Sequence, residues 1–205
     1  YGEAQAIAET LRSRSILGHK ATLAEVRQRI EGQTLDLVHF SCHGNFDNND
    51  PFSSGIQVAD GVLSARNLIA WQFRANLVTM SSCWSGYSKT VAGDELMGLS
   101  QVLQYSGATS SIMGLWSVNA LTTKAMMEAF YQNLVGDDGT YHMSAPEALR
   151  QAALDLRDGS LLPVDCQGPI DTTDPYYWAP FVFIGNWDWP GRQARTEQPN
   201  GPHRL

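Results

Sequence analysis

The 205-residue sequence is poor in cysteine, in charge and in long apolar runs. Its three cysteines, Cys42, Cys83 and Cys166, are odd in number and stand at unrelated spacings. That excludes the disulfide framework of a small secreted domain, and a reducing compartment, the cytoplasm, is expected. No run approaches the roughly 20 apolar residues a membrane-spanning helix needs, and no signal peptide is visible. Fourteen Lys and Arg against 21 Asp and Glu leave a formal net charge of −7. Without a basic cluster to offset it, no nucleic-acid-binding face is expected. GxxxxGK[ST] and GxSxG are both missing, so nucleotide-loop and serine-hydrolase readings lose their main support. The chain opens on Tyr1 rather than methionine and is expected to be a piece of something longer.

What is present is a globular composition, 43% hydrophobic and 17% charged, on a chain long enough for a substantial core. Apolar residues recur at helical spacing over residues 4–12 and again after Thr22, where Thr22 and Glu25 predict a capping box. Between them "RSILG" reads as a short strand. "LDLVHFS" (35–41) is the first strong strand, followed by a polar loop over 45–60. "GIQVADGVL" predicts a hairpin turning at Ala59-Asp60-Gly61, and Ser64 caps a short helix. "ANLVTMSS" (75–82) and "ATSSIMGLW" are further strands, separated by the helix "DELMGLSQVLQYSGA". Two more helices follow, the second opened by Ser144 with Pro146 in its first turn, and "FVFIGNW" is a last strand. Strands apolar on both faces that alternate with helices predict an α/β fold, a mostly parallel sheet flanked by helices on both faces. One domain to residue 189 and a disordered tail over 190–205 are expected.

Two strands end in groups that carry chemistry. "VHFSCHG" brings His43 and Gly44 to the end of one, and "VTMSSCWSG" brings Cys83 to the end of another. Ligand chemistry in open α/β sheets gathers at the carboxyl ends of the strands. If the two strands are neighbours, the imidazole of His43 can take the thiol proton of Cys83 and later protonate a leaving amine. Gly44, lacking a β-carbon, lets its N–H approach a developing oxyanion, with the N–H of Cys83 as second donor. A backbone carbonyl or Asp36 is a candidate to orient the imidazole. The alternatives are that each residue is merely structural, or that His39, Cys42, His43 and Cys83 hold zinc, although no metal-ligand spacing supports the latter. Cys42, opposite in strand alternation, reads as core packing. Gly93, Asp94 and Glu95 read as the cap of a helix.

The ordered motifs "VHFSCHGNF", "VTMSSCWSG", "GDELMGL", "LWSVN" and "WAPFVFIGNW" resemble the CHAT domain, a branch of the caspase and separase group of cysteine proteases. The likeness runs from about Ala4 to Trp187. It implies a caspase-like sheet, His43 as general base, Cys83 as nucleophile, peptide-bond cleavage through a thioester, and no cofactor or metal. It also implies partners: a protein substrate and an upstream tetratricopeptide-repeat (TPR) region or regulatory protein that gates the protease. Some relatives serve in bacterial defence, including assemblies with RNA-guided effectors. Where many relatives carry an acid after Leu-Trp-x-Val, this chain has Asn119 and Ala120. A pocket without that carboxylate suits a neutral P1 side chain, with Trp116 and Asn119 as candidate lining residues. Their alternative roles are Trp116 in the core and Asn119 as a helix N-cap. An idle interaction module of the same fold, or an acyl hydrolase or transferase using the same dyad, are the competing functions.

Overall fold

The structure is a computed structural model that describes residues 2–45, 47, 49–81, 94–161 and 170–190. Cys83, Gly93, Cys166 and the expected tail beyond Pro190 lie outside the described residues. Apolar residues buried on both faces make β1 (Thr34–Phe40), β5 (Arg74–Met80) and β6 (Ala108–Gly114) the parallel part of a four-stranded sheet. Its order is β1-β5-β6-β7, and β7 (Phe181–Gly185) pairs antiparallel with β6 at the far edge. The α/β expectation of a mostly parallel sheet holds, with this one antiparallel strand added.

Helices cover both faces. On one side α1 (Gly2–Thr10), α5 (Ala120–Leu134) and α6 (Ala145–Arg157) pack a core that contains Ile7, Leu37, Leu77, Ile112 and Phe130. On the other, α2 (Leu23–Ile30), α3 (Ala65–Trp71) and α4 (Asp94–Ser106) enclose Val26, Val38, Leu68, Val78 and Leu103. A short α7 (Pro175–Trp178) precedes β7. Among the described residues no helix is long and apolar enough to cross a membrane.

The local signals act as their chemistry dictates. Ser64 and Asn67 cap α3 reciprocally, and Glu147 accepts from both the N–H and the hydroxyl of Ser144 at the start of α6. The Thr22 box forms only by half. Thr22 Oγ1 accepts the N–H of Glu25, but the Glu25 carboxylate turns to Arg29 at 2.9 Å, and the Thr22 N–H donates to the Lys20 carbonyl instead. The hairpin forms as β3 (Gly55–Val58) and β4 (Gly61–Ser64) about Ala59 and Asp60, with β2 (Gly44–Asn45) added on its other side from within the expected loop. The segment "RSILG" (14–18), expected as a strand, is not one: residues 14–17 have no regular structure and Gly18 opens a short 3-10 turn. Order extends to Pro190, which is buried: the Trp189 ring stacks edge-on against Tyr141, 5.4 Å between centroids, and its carbonyl accepts from Ala145.

Gly107 shows how tightly β6 enters. Its φ is +113°, and a β-carbon there would run into the backbone carbonyl of Phe73. Gly107→Ala is expected to destabilise the fold by about 1–3 kcal/mol, read as a lower midpoint in chemical denaturation.

Candidate functional site

β1 and β5 pair in parallel with one constant register. Thr34 meets Arg74, His39 meets Thr79 and Phe40 meets Met80, so residue i lies beside residue i + 40. One further backbone bond, Ser81 N–H to Phe40 C=O at 2.9 Å, carries the ladder past the last pair. His43 stands three residues beyond Phe40, and Cys83 stands three residues beyond Met80 in the sequence. The strand that holds the imidazole is therefore the direct neighbour of the strand that leads to the thiol, at the carboxyl edge of the sheet.

His43 is exposed at a junction between two sheets. Its carbonyl accepts from Gln57 N–H at 2.8 Å, which ties the end of β1 to β3. That bond makes the Gly44–Ile56 pair of the β2–β3 ladder a non-hydrogen-bonded one, in which both residues point their N–H groups away from the partner strand. The N–H of Gly44 is thus not used by the ladder and can face an incoming oxygen. Asp36 does not orient His43. It lies in the first half of β1, four residues before the carboxyl end, and its carboxylate accepts from Asn76 Nδ2 at 3.0 Å.

Cys42 is half-buried and packs against the α2–α3–α4 core, the role read from strand alternation. Burial is the main cause that pushes its thiol up to about 11, with the Glu3 carboxylate adding to it. At neutral pH it is a poor nucleophile. Alkylation of Cys42 is expected to run about 100-fold slower than that of an unperturbed thiol, checked by mass spectrometry of a timed iodoacetamide reaction. Because its folded value is raised, Cys42 contributes stability that is intact below its ordinary value near 9.0 and lost as pH rises through about 11. Cys42→Ala should flatten that alkaline fall.

Trp116 and Asn119 follow β6, so in strand order they lie on the side of β5 away from His43. Trp116 is half-buried and belongs to neither core; its indole N–H donates to the Tyr176 carbonyl at 3.1 Å. Asn119 is the N-cap of α5, where Oδ1 accepts from the N–H groups of Leu121 and Thr122 at 3.0 and 3.2 Å. Its carbonyl oxygen is committed to the helix, which leaves only the amide nitrogen for any ligand.

A buried polar chain beside the site is not legible in the sequence. His39, with 5% of its side chain exposed, meets Glu3 Oε1 through Nε2 at 3.0 Å and the Tyr131 hydroxyl through Nδ1 at 3.1 Å. Tyr131, fully buried, donates to Thr79 Oγ1 at 2.9 Å, and burial drives its phenol far up, so it stays a neutral donor. The chain joins α1, β1, α5 and β5 four residues before His43 and four before Cys83 along their strands. It also engages both ring nitrogens of His39, which removes that residue from the zinc alternative. Among the described residues no cluster of His, Cys, Asp and Glu is placed to hold a metal. The one available signal was His39 itself, an imidazole in a buried strand, which needs partners. Tyr131→Phe is expected to cost about 1–3 kcal/mol, because Thr79 and His39 lose a buried partner together; thermal denaturation reads it.

A comparison with curated proteins gives no match. The family model described as the CHAT domain matches residues 2–186. Its span takes in both strand ends, the hairpin and the closing strand, as the ordered motifs and the caspase-like α/β sheet require. The chain belongs to the CHAT domain family.

Proposed function

We propose that the protein is a cysteine endopeptidase in which His43 and Cys83 act as a dyad. The observation that supports this is the register of β1 against β5: in the sequence His43 and Cys83 each follow by three residues the last paired positions, Phe40 and Met80, of neighbouring strands. His43 takes the proton of the Cys83 thiol, and the thiolate attacks the substrate carbonyl carbon. The carbonyl oxygen, now negative, accepts from the N–H groups of Gly44 and Cys83. His43 gives the proton to the departing amine, leaving a thioester, then activates the water that hydrolyses it. Trp116, flanking the nucleophile's strand on the side opposite His43, lines the pocket for the P1 side chain. That pocket takes a neutral residue, since the stretch after Leu-Trp-x-Val supplies no carboxylate to balance a buried cation.

The partners proposed are a protein substrate and a gating element, either an upstream TPR region or a regulatory protein such as an RNA-guided effector complex in bacterial defence; the setting is the cytoplasm. A gate needs only a few kcal/mol of differential binding to move such a site between idle and working forms. The test is a proteome-derived peptide library exposed to the longest available polypeptide, with and without candidate partners. Cleavage lost in both Cys83→Ala and His43→Ala is the expected result. Cleavage solely after Arg or Lys would sink the neutral-P1 assignment.

The second reading, a catalytically idle interaction module, is favoured by the exposure of His43 to solvent. An unchanged library in every condition, together with no difference in thiol labelling between wild type and His43→Ala, is the result that favours it.

A further inference from the structure

Among the described residues five large apolar side chains are exposed: Phe52, Tyr105, Leu115, Tyr176 and Trp187. Phe52 lies under the Arg66 guanidinium, 5.6 Å from its ring centre. Tyr105 precedes β6 and Trp187 follows the antiparallel β7, so both stand at the amino edge of the parallel strands. Leu115 and Tyr176, 37% and 43% exposed, are at the carboxyl edge, where β1 and β5 end. Their segments are tied there. The Leu115 N–H donates to the Pro180 carbonyl at 2.6 Å, and the Tyr176 carbonyl accepts the indole N–H of Trp116 at 3.1 Å.

Local chemistry holds Tyr176 outward. Asp174 Oδ1 accepts the Tyr176 N–H at 2.9 Å and Pro175 opens the turn, which starts α7. Residues two apart in a helix lie on nearly opposite sides. Trp178 packs against the α1–α5–α6 core, with the Arg157 guanidinium 6.0 Å over its ring. Tyr176 is therefore left on the solvent side, and its ring meets Tyr177 edge-on at 5.1 Å between centroids. A ring already held by its neighbours loses little freedom when it binds a ligand.

The direction of a substrate across this edge follows from the proposed dyad, on which this inference rests. His43 protonates the departing amine, so the residues after the scissile bond lie toward β1. Those before it run the other way, from the end of β5 past β6 to β7. Neighbouring strands are about 4.8 Å apart, so β7 begins about 10 Å from the end of β5. An extended peptide advances about 3.3 Å per residue, and its third step from P1 covers that distance.

We propose that Tyr176, with Leu115, forms the subsite for the P4 side chain and selects an aromatic or large aliphatic residue there. Acids are disfavoured, because Asp171 and Asp174 stand in the turn that leads into Tyr176 and oppose a like charge. The substrate is thus apolar at P4 and neutral at P1. Tyr176 touches no reacting atom; it sets specificity.

Peptides on one neutral P1 that differ only at P4 (Phe, Leu, Gly or Asp) test this in two readouts, using the longest available polypeptide. Cleavage is followed for wild type, Tyr176→Ala and Tyr176→Phe. Binding of the same peptides, fluorescein-labelled, is followed by anisotropy on Cys83→Ala with and without Tyr176→Ala. Phe and Leu are expected to exceed Asp by about 10–100-fold in kcat/KM and in affinity, and Tyr176→Ala to cut that preference to about 3-fold or less. Tyr176→Phe should keep it, and P1 preference should stay unchanged throughout. The fold should tolerate these variants, since the bond to Trp116 uses the Tyr176 carbonyl. Cleavage whose P4 preference is unmoved by Tyr176→Ala would overturn the assignment and leave the dyad standing. Tyr176-dependent P4 preference in binding, without cleavage by the wild type, would support the assignment and count against the endopeptidase. No P4 preference in either readout, or no binding of any peptide, would overturn the assignment.

Discussion

His43→Ala is expected to lower kcat/KM for peptide cleavage by about 10²–10⁴-fold, and Cys83→Ala to abolish turnover. The two values differ because the residues do different things. Without Cys83 no acyl-enzyme can form, whereas without His43 the fraction of thiol that ionises unaided still attacks, slowly. The loss in His43→Ala should shrink as pH rises toward the ordinary thiol range near 8.5, since solvent then removes the proton that the imidazole no longer takes. His43→Ala should not move the melting temperature far. His43 is exposed, and its tie to the fold, the carbonyl that accepts from Gln57, survives truncation of the side chain. A merely structural histidine would show the opposite pattern.

The largest expected loss of stability is at His39. His39→Ala is expected to destabilise the protein by about 2–4 kcal/mol, because two largely buried groups lose their hydrogen-bond partner together. The imidazole is 5% exposed and its partner Glu3 12%. Truncation takes a partner from the largely buried Glu3 carboxylate and another from the Tyr131 hydroxyl, whose remaining bond is to Thr79. Urea titration of His39→Ala reads the loss. Glu3→Gln, which keeps a polar group within reach of Nε2, should cost about 1 kcal/mol. The double variant should then cost less than the sum, since the orphaned carboxylate is gone. The chain binds β1 and β5, the strands that precede His43 and Cys83 in the sequence, to each other and to α1.

The central strands were readable because burial on both faces leaves near-continuous apolar runs, as in Leu35–Phe40 and Ala75–Met80. Reciprocal caps such as Ser64 with Asn67 and Ser144 with Glu147 were readable because their chemistry is local. That the strand before His43 and the strand before Cys83 are neighbours, with a constant offset of 40 residues between β1 and β5, follows from pairing rather than pattern. The direction of β7 was not readable, because a short apolar strand looks the same run either way. β2 was hidden by its length of two residues. The Glu3–His39–Tyr131–Thr79 chain joins residues 36, 92 and 52 positions apart, separations at which no periodicity exists. Residues 14–18 have strand-like sequence but pair with no strand among the described residues, so propensity alone did not order them.

The measurement that bears most directly on the dyad is the pH dependence of Cys83 alkylation in the wild type and in His43→Ala. Peptide mapping separates Cys83 from the buried, slow Cys42. In the wild type the rate is expected to rise with an inflection below the ordinary thiol value of about 8.5, and in His43→Ala that inflection should move up to it. Superimposable curves for the two proteins would mean that His43 does not share the proton of Cys83, and would contradict the account.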